Sequence, residues 1–308
     1  MDGRKVLIVG LCCLDIVNYV NNYPNEDTDN NKLCLGGNAT NSVTVFTQLS
    51  SKCDNINCEL FAALPANNKF IDELIKKSGI NIGKSPLRDN CEFPVTILHY
   101  RGNLPELTFE EFYNSFGQQL KDKKLDWIHF EGRNFNQVRK MMEFIRNQRI
   151  ENKYPIISVE LEKLRPFPCL EQLIAYADLI FVSKDFAKSK GWNDMESAIN
   201  GIQLNMGESE KTVICAWGEK GASARQSFNN KINSLIIPPI YIQPIFELLP
   251  SSSIIDTLGA GDCFIGTALF NLCQNKKTLK EVLVEAVRIS GIKCTQFLFS
   301  KHIPTLKC

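Results

Sequence analysis

The residues with the clearest chemical potential are Asp256-Thr257-Leu258-Gly259-Ala260-Gly261-Asp262, which run straight into a strongly apolar helical pattern. Glycine at a helix start leaves backbone N–H groups unobstructed, and the helix terminus adds partial positive charge. Gly259, Ala260 and Gly261 can therefore form an anion cradle. Asp262 falls in the first turn of that helix. With a phosphoryl group in the cradle, its carboxylate can take the proton of an attacking hydroxyl while the amides stabilise the developing charge. The same residues also fit a plain Gly-rich turn followed by an acidic first-turn residue; the flanking Asp256-Thr257 favours the chemical reading.

A second candidate is Gly36-Gly37-Asn38-Ala39-Thr40-Asn41. Paired glycines allow close backbone approach, and Asn38 and Asn41, three apart at a helix start, project amides from one face. An amide both donates and accepts, which suits a polyol better than an anion. Asn38 acting simply as a helix cap is the competing reading. A third candidate is Asp15, read as closing the first strand, where open α/β sheets bind ligands; a turn residue is the plainer alternative.

Other chemistries find no support in the pattern. There is no Gly-x4-Gly-Lys-Ser/Thr loop and no Gly-x-Gly-x-x-Gly after the first strand, which disfavours P-loop and dinucleotide-binding readings. Cys53 with Cys58, or His99 with His129, offer no metal-ligand spacing, so no protein-bound metal site is expected. Cys263 is read as a small apolar core residue.

These residues need a scaffold that brings two helix starts and a strand end together. Short apolar, partly β-branched runs at 6–11, 59–64, 127–130, 156–159, 179–182 and 212–216 predict buried parallel strands. Helical spacing falls between them at 38–49, 69–78, 135–147, 169–176 and 195–206. Such alternation predicts a doubly wound α/β sheet with helices on both faces. Residues 222–226 and 231–237 are expected to form a hairpin, followed by helices at 260–274 and 278–297. Two stretches depart from the core pattern: Asn-rich 18–33, and 83–105 with one isolated strand at 95–100. Both could project as a lid or an extra small layer, since long loops inside compact domains are usually functional.

Composition agrees with a single globular domain. The chain has 308 residues, 44% apolar and 22% charged, with no linker-like stretch. Lys+Arg 35 against Asp+Glu 34 gives a formal charge of +1, which argues against nucleic acid or a membrane surface as partner. The twelve cysteines are scattered without a disulfide framework. The N-terminus shows no leader pattern, and the apolar stretch 235–250, broken by four prolines, is too short to span a bilayer. A cytoplasmic protein with reduced thiols is expected.

The three motifs, in this order and spacing, resemble the PfkB family of ribokinase-like carbohydrate kinases over nearly the whole chain. Trp127-Ile128-His129, Glu131-Gly132-Arg133-Asn134, Ser158-Val159-Glu160, Phe181-Val182-Ser183-Lys184-Asp185 and Cys215-Ala216-Trp217 look specifically like its ketohexose-phosphorylating members. The resemblance implies a three-layer α/β/α fold spanning residues 1–308, with a mostly parallel central sheet and a small β-lid from segments 16–35 and 84–107. It implies Asp262 as catalytic base, with Gly259, Ala260 and Gly261 as anion hole. Asp15, Gly37, Asn38 and Asn41 would hold the sugar. Trp217, Gly218 and Glu219, with Thr257, Gly259 and Gly261, would lie along the nucleotide. ATP with Mg2+, and K+ as a further ion, would be the cofactors, and a homodimer the assembly.

The implied reaction is ATP-dependent phosphorylation of a ketohexose, D-fructose at its 1-hydroxyl. Another sugar or nucleoside kinase of the family remains an alternative. The lid departs from the family pattern: residues 90–100 have room for one strand where two are expected, and Pro94 does not suit a central strand. A kinase-shaped binding protein with impaired catalysis is therefore a further alternative.

Overall fold

Continuous β-branched and apolar runs become strands buried on both faces, and the amphipathic segments between them become the covering helices. The structure, a computed structural model, describes residues 3–18, 31–51, 53, 55–91, 95–96, 103–149, 154–162, 170–204, 211–226 and 256–295. In chain order the first elements are β1 (Arg4–Val9), β2 (Cys13–Asn18), β3 (Asn31–Gly36), α1 (Asn38–Ser50), β4 (Ile56–Phe61), β5 (Leu64–Pro65) and α2 (Lys69–Ser78). Then come β6 (Leu87–Arg88), β7 (Val95–Thr96), α3 (Phe109–Lys121), β8 (Trp127–Phe130), α4 (Phe135–Asn147) and β9 (Ile156–Leu161). The chain continues through β10 (Leu179–Ser183), α5 (Lys184–Ser189), α6 (Met195–Leu204), β11 (Thr212–Ala216), β12 (Ala222–Gln226), α7 (Ala260–Gln274) and α8 (Leu279–Cys294).

Seven strands form the central sheet in the order β12-β11-β10-β9-β8-β1-β4. All neighbours are parallel except β12, which runs antiparallel to β11. Alternating side chains of β1 sort the two faces. Val6 and Ile8 pack with residues of α1, α2, α7 and α8, while Leu7 and Val9 pack with residues of α3, α4, α5 and α6. This is the ribokinase-like three-layer α/β/α arrangement expected from the sequence. Because the central strands are parallel, the segments after β1, β8, β9, β10 and β11 emerge along one edge, the usual ligand edge of such a sheet.

Several expectations need correction. Asp15 does not close β1: that strand ends at Val9, and Asp15 lies in β2 of a separate sheet ordered β3-β2-β7. The chain leaves the central sheet because Leu11 N donates to Glu131 Oε2 (2.7 Å) and Thr40 Oγ1 donates to Leu11 O (2.8 Å). Residues 222–226 pair with β11, through a short 3-10 turn at Gly218–Lys220, and 231–237 lies outside the described residues. Residues Leu170–Ala175 form a 3-10 turn where an α-helix was expected. Helix α3 was not anticipated, although Thr108 and Glu111 complete a capping box ahead of the buried Phe112, Phe116 and Leu120.

In the smaller sheet, β2 and β3 are antiparallel and β7 adds parallel to β2. Leu87–Arg88 pairs with β5, apart from that sheet. Residues 19–30 and 97–102, which include most of the isolated strand expected at 95–100, lie outside the described residues, as does 237–253.

Candidate active site

Two helices open onto the ligand edge, each behind a glycine. Helix α7 is preceded by Gly259 at φ 71°, and α1 by Gly37 at φ 95°; neither has a side-chain cap. Positive φ is readily available only to glycine, which explains both positions. A Cβ on Gly37 would also sit 2.5 Å from Leu11 O. The loop ahead of α7 is closed by its own bonds: Leu258 N donates to Asp256 Oδ1 (2.8 Å), and Ala260 N to Thr257 O (3.1 Å). Gly261 faces open space, with nothing within 4 Å of a Cβ placed there.

Asp262, in the first turn of α7, is buried. Asn41 Nδ2 of α1 donates to Asp262 Oδ2 at 2.8 Å, and Ser42 Oγ donates to Asp262 O at 3.2 Å. The two helix starts are thus joined at the carboxylate. Their backbones also approach closely further along, since a Cβ on Gly266 would lie 2.6 Å from Ser42 O. Cys263, next to Asp262, is a core residue; burial, reinforced by Asp262, pushes its thiol up to about 12, so it is no nucleophile.

Asn38 is placed differently from Asn41. Its Nδ2 donates to Glu160 Oε1 (3.2 Å) and to Glu162 Oε2. Glu160 is buried at the end of β9, and burial, then the charges of Glu131, Glu162 and Asp262, hold its carboxyl well above the usual carboxylate range. The Asn38 bond works in the opposite direction. Glu131, buried after β8, accepts from Leu11 N and pairs with Arg133 (3.2 Å), which also reaches Glu106. Burial disfavours the Arg133 charge, but Glu131 and Glu106 outweigh it and keep the guanidinium protonated. Sequence reasoning assigned no role to Glu131, Glu160, Glu162 or Arg133. Glu131, Arg133 and Glu160 stand in the sequence blocks that resemble the family, whereas Glu162, directly after β9, carries no such signal.

Asp15 is buried against the neighbouring strand of its small sheet: a Cβ on Gly36 would sit 2.0 Å from its Oδ2. On the other expected flank, Trp217 has its indole in the core and only its backbone at the end of β11. Trp217 N donates to Gly221 O (2.8 Å), Gly218 has φ 55°, and exposed Glu219 pairs with Lys184 at 2.7 Å. Thr257 is exposed. No group of three or more His, Cys, Asp or Glu suited to a metal occurs among the described residues.

The seven-stranded, mostly parallel sheet with helices on both faces is a ribokinase-like fold. The chain belongs to the pfkB family of carbohydrate kinases, whose model matches residues 4–306. It is 31% identical to the ketohexokinase of Mus musculus over 318 aligned positions, covering 96% of this chain and 97% of the mouse protein. The ribokinase of Giardia lamblia superposes with a TM-score of 0.72 at 16% identity, covering 98% of this chain and 97% of that one. An adenosine kinase from Schistosoma mansoni with 2-fluoroadenosine gives 0.71 at 16%, covering 96% and 97%. A putative ribokinase II from E. coli, solved with ATP and Mg2+, gives 0.70 at 16%, covering 96% and 94%. These structural likenesses establish the fold.

Proposed function

We propose that the protein is an ATP-dependent kinase for a ketohexose, phosphorylating D-fructose at its 1-hydroxyl. The observation that carries this reading is the Asp262 carboxylate, buried at an uncapped glycine helix start and bonded to Asn41 of a second one. The similarity to a ketohexokinase along nearly the whole chain supports the choice of sugar.

In this reading Asp262 accepts the proton of the 1-hydroxyl as its oxygen bonds to the γ-phosphorus of ATP; the bond from that phosphorus to the β-bridging oxygen breaks, and ADP leaves. General bases of this kind contribute on the order of 10²–10⁴-fold. The amides of Gly259 and Gly261 stabilise charge on the transferring group, while that of Ala260, bonded to Thr257 O, holds the turn and joins the cradle only if that bond gives way. Asn41 fixes the carboxylate orientation through Oδ2. Asn38, whose amide N–H groups serve Glu160 and Glu162, offers its carbonyl oxygen to a sugar hydroxyl. Gly37 and Asp15 complete the sugar contacts, with β2, β3 and β7 as lid.

The nucleotide runs from Trp217, Gly218 and Glu219 toward Thr257 and the cradle. The open space at Gly261 fits a phosphate approaching the backbone. Mg2+ would come with the triphosphate, held by phosphate oxygens and water. We further propose a homodimer formed through the lid sheet, where Leu33 of β3 is exposed, and a cytoplasmic location suited to cysteines scattered without a disulfide framework. No helix among the described residues is long and apolar enough to cross a membrane.

The test is ADP release from ATP across D-fructose, D-ribose and adenosine, with the product's phosphate position read by NMR. Fructose-dependent turnover giving the 1-phosphate is expected. Preference for ribose or adenosine would make the chain a different kinase of the family. ATP binding without turnover on any acceptor would make it a binding protein.

A further inference from the structure

Lysine is almost never fully buried without a partner, yet Lys293 near the end of α8 has only 2% of its side chain exposed. Its Nζ donates to two oxygens of one residue, the Asp256 carboxylate Oδ2 (2.9 Å) and the Asp256 backbone carbonyl (3.1 Å). Asp256 opens the loop that ends in Gly259-Ala260-Gly261. Its other carboxylate oxygen accepts from Leu258 N within that loop, and its own N–H donates to Cys294 O (3.1 Å). The far end of the loop is held from the same helix, since Ser290 Oγ donates to Ala260 O at 2.7 Å.

Stability alone does not account for this arrangement. Desolvating two charges costs about as much as their attraction returns, and well-packed apolar residues often serve equally well. What the pair supplies is geometry: a cation tied to a carbonyl and a carboxylate fixes the direction of the backbone that leads into the cradle. A carbonyl and a carboxylate oxygen converging on one positive centre is also the oxygen set that a small monovalent cation accepts.

We propose that Lys293 is a positioning residue that carries a built-in cation: its ammonium holds loop 256–260 in the shape the phosphoryl cradle needs, in place of an exchangeable monovalent ion on Asp256. The proposal rests on the kinase reading for its rate effects and on hydrogen bonds alone for its effect on the loop. Lys293 does not touch the reacting atoms. It acts through Asp256 on the amides of residues 258–261.

Turnover of the full-length chain should be equal in buffers whose only monovalent cation is potassium or bulky tetramethylammonium. Lys293→Met should lower kcat on the order of 10²-fold, with KM for the sugar changed little, because a small misplacement of stabilising groups is felt mainly in the transition state. Lys293→Ala should recover roughly tenfold of its lost kcat on adding potassium or ethylammonium, and none with tetramethylammonium. Amide exchange covers the case of a chain inactive on every acceptor. In Lys293→Met the Leu258 and Ala260 amides should exchange faster than in wild type while those of α3 stay unchanged, and small cations should slow the Lys293→Ala loop again. A strong potassium requirement in wild type, or an unchanged kcat in Lys293→Met, would overturn the proposal. So would a folded Lys293→Ala variant whose rate and loop exchange ignore small cations.

Discussion

Helices α3 and α8 begin with a threonine that closes a capping box with a glutamate, whereas α1 and α7 begin behind a glycine at positive φ with no side-chain cap. A cap of the first kind stabilises by about 1 kcal/mol. The uncapped starts forgo that contribution and leave the half-unit of positive charge of the helix end facing the ligand edge, although in α7 the Ala260 N–H is bonded to Thr257 O. Both belong to helices that hold the site, and Asn41–Asp262 joins them. Helix α4 is also uncapped, but there Asn134 uses its side chain to bind Leu107 O, tying α4 to the segment before α3. The lesson is about division of labour. Capped starts secure the scaffold, and the glycine starts, secured by helix–helix packing, face the reactants in the proposed function.

The sharpest way to break this contrast is at Asp262. Asp262→Asn keeps the shape and the helix start but removes the proton acceptor. Turnover should fall on the order of 10²–10⁴-fold while calorimetry shows ATP-analogue and sugar binding little changed.

Gly266→Ala probes the packing that replaces the caps. In an ordinary helix interior this change would stabilise by about 0.8–1 kcal/mol. Here the new methyl meets Ser42 O at 2.6 Å, so thermal unfolding should show a loss of about 1–3 kcal/mol. The rate should fall as well, because α1 and α7 are forced apart beside Asn41 and Asp262.

The buried acid and base of the ligand edge give opposite pH slopes. His129, beside Ser158 Oγ at 2.9 Å, is held by burial down to about 3 from an ordinary value of 6.5. The unfolded chain therefore takes up this proton first, and stability falls as pH drops from 6.5 toward 3. Glu160 has its pKa raised, so its contribution is full at acid pH and is lost as pH rises above 4.5 toward its folded value. Each slope is at most about 1.4 kcal/mol per pH unit. Glu160→Gln should flatten the decline of melting temperature on the alkaline side and leave the acid side as in wild type.

The smallest effect is expected at the capped starts. Thr278→Ala should cost about 1 kcal/mol in stability and leave kcat and KM as in wild type. A comparable loss of rate would mean that the contrast between the two kinds of helix start is not a functional one.

The sequence made some of this plain and hid the rest for identifiable reasons. Strands such as Thr212–Ala216 were legible because burial on both faces demands an unbroken apolar run. The Gly-Ala-Gly-Asp turn was legible because glycine takes the positive φ of Gly259 without the strain a side chain brings. Asp15 was misplaced because apolar residues continue from β1 into β2, and the break between them is made by tertiary bonds from Glu131 and Thr40. Glu131 and Glu160 show in the sequence only as parts of family-like blocks, and Glu162, directly after β9, looks like any turn residue; the meeting of Glu160 and Glu162 at Asn38 is made by the fold. Nothing in the sequence marks Lys293; its contact with Asp256, 37 residues away, is made by the fold. Helix α3 carries a readable signal in the sequence, Thr108 three residues before Glu111.

The central claim is that reactants are held at the two glycine starts. Amide hydrogen exchange, with and without D-fructose plus a non-hydrolysable ATP analogue, tests it most directly. Peptides covering 258–263 and 37–41 should exchange several-fold more slowly when both ligands are present, while those covering 108–112 and 278–282 should not change. Unchanged exchange at both glycine starts, with protection appearing elsewhere on the chain, would contradict the account.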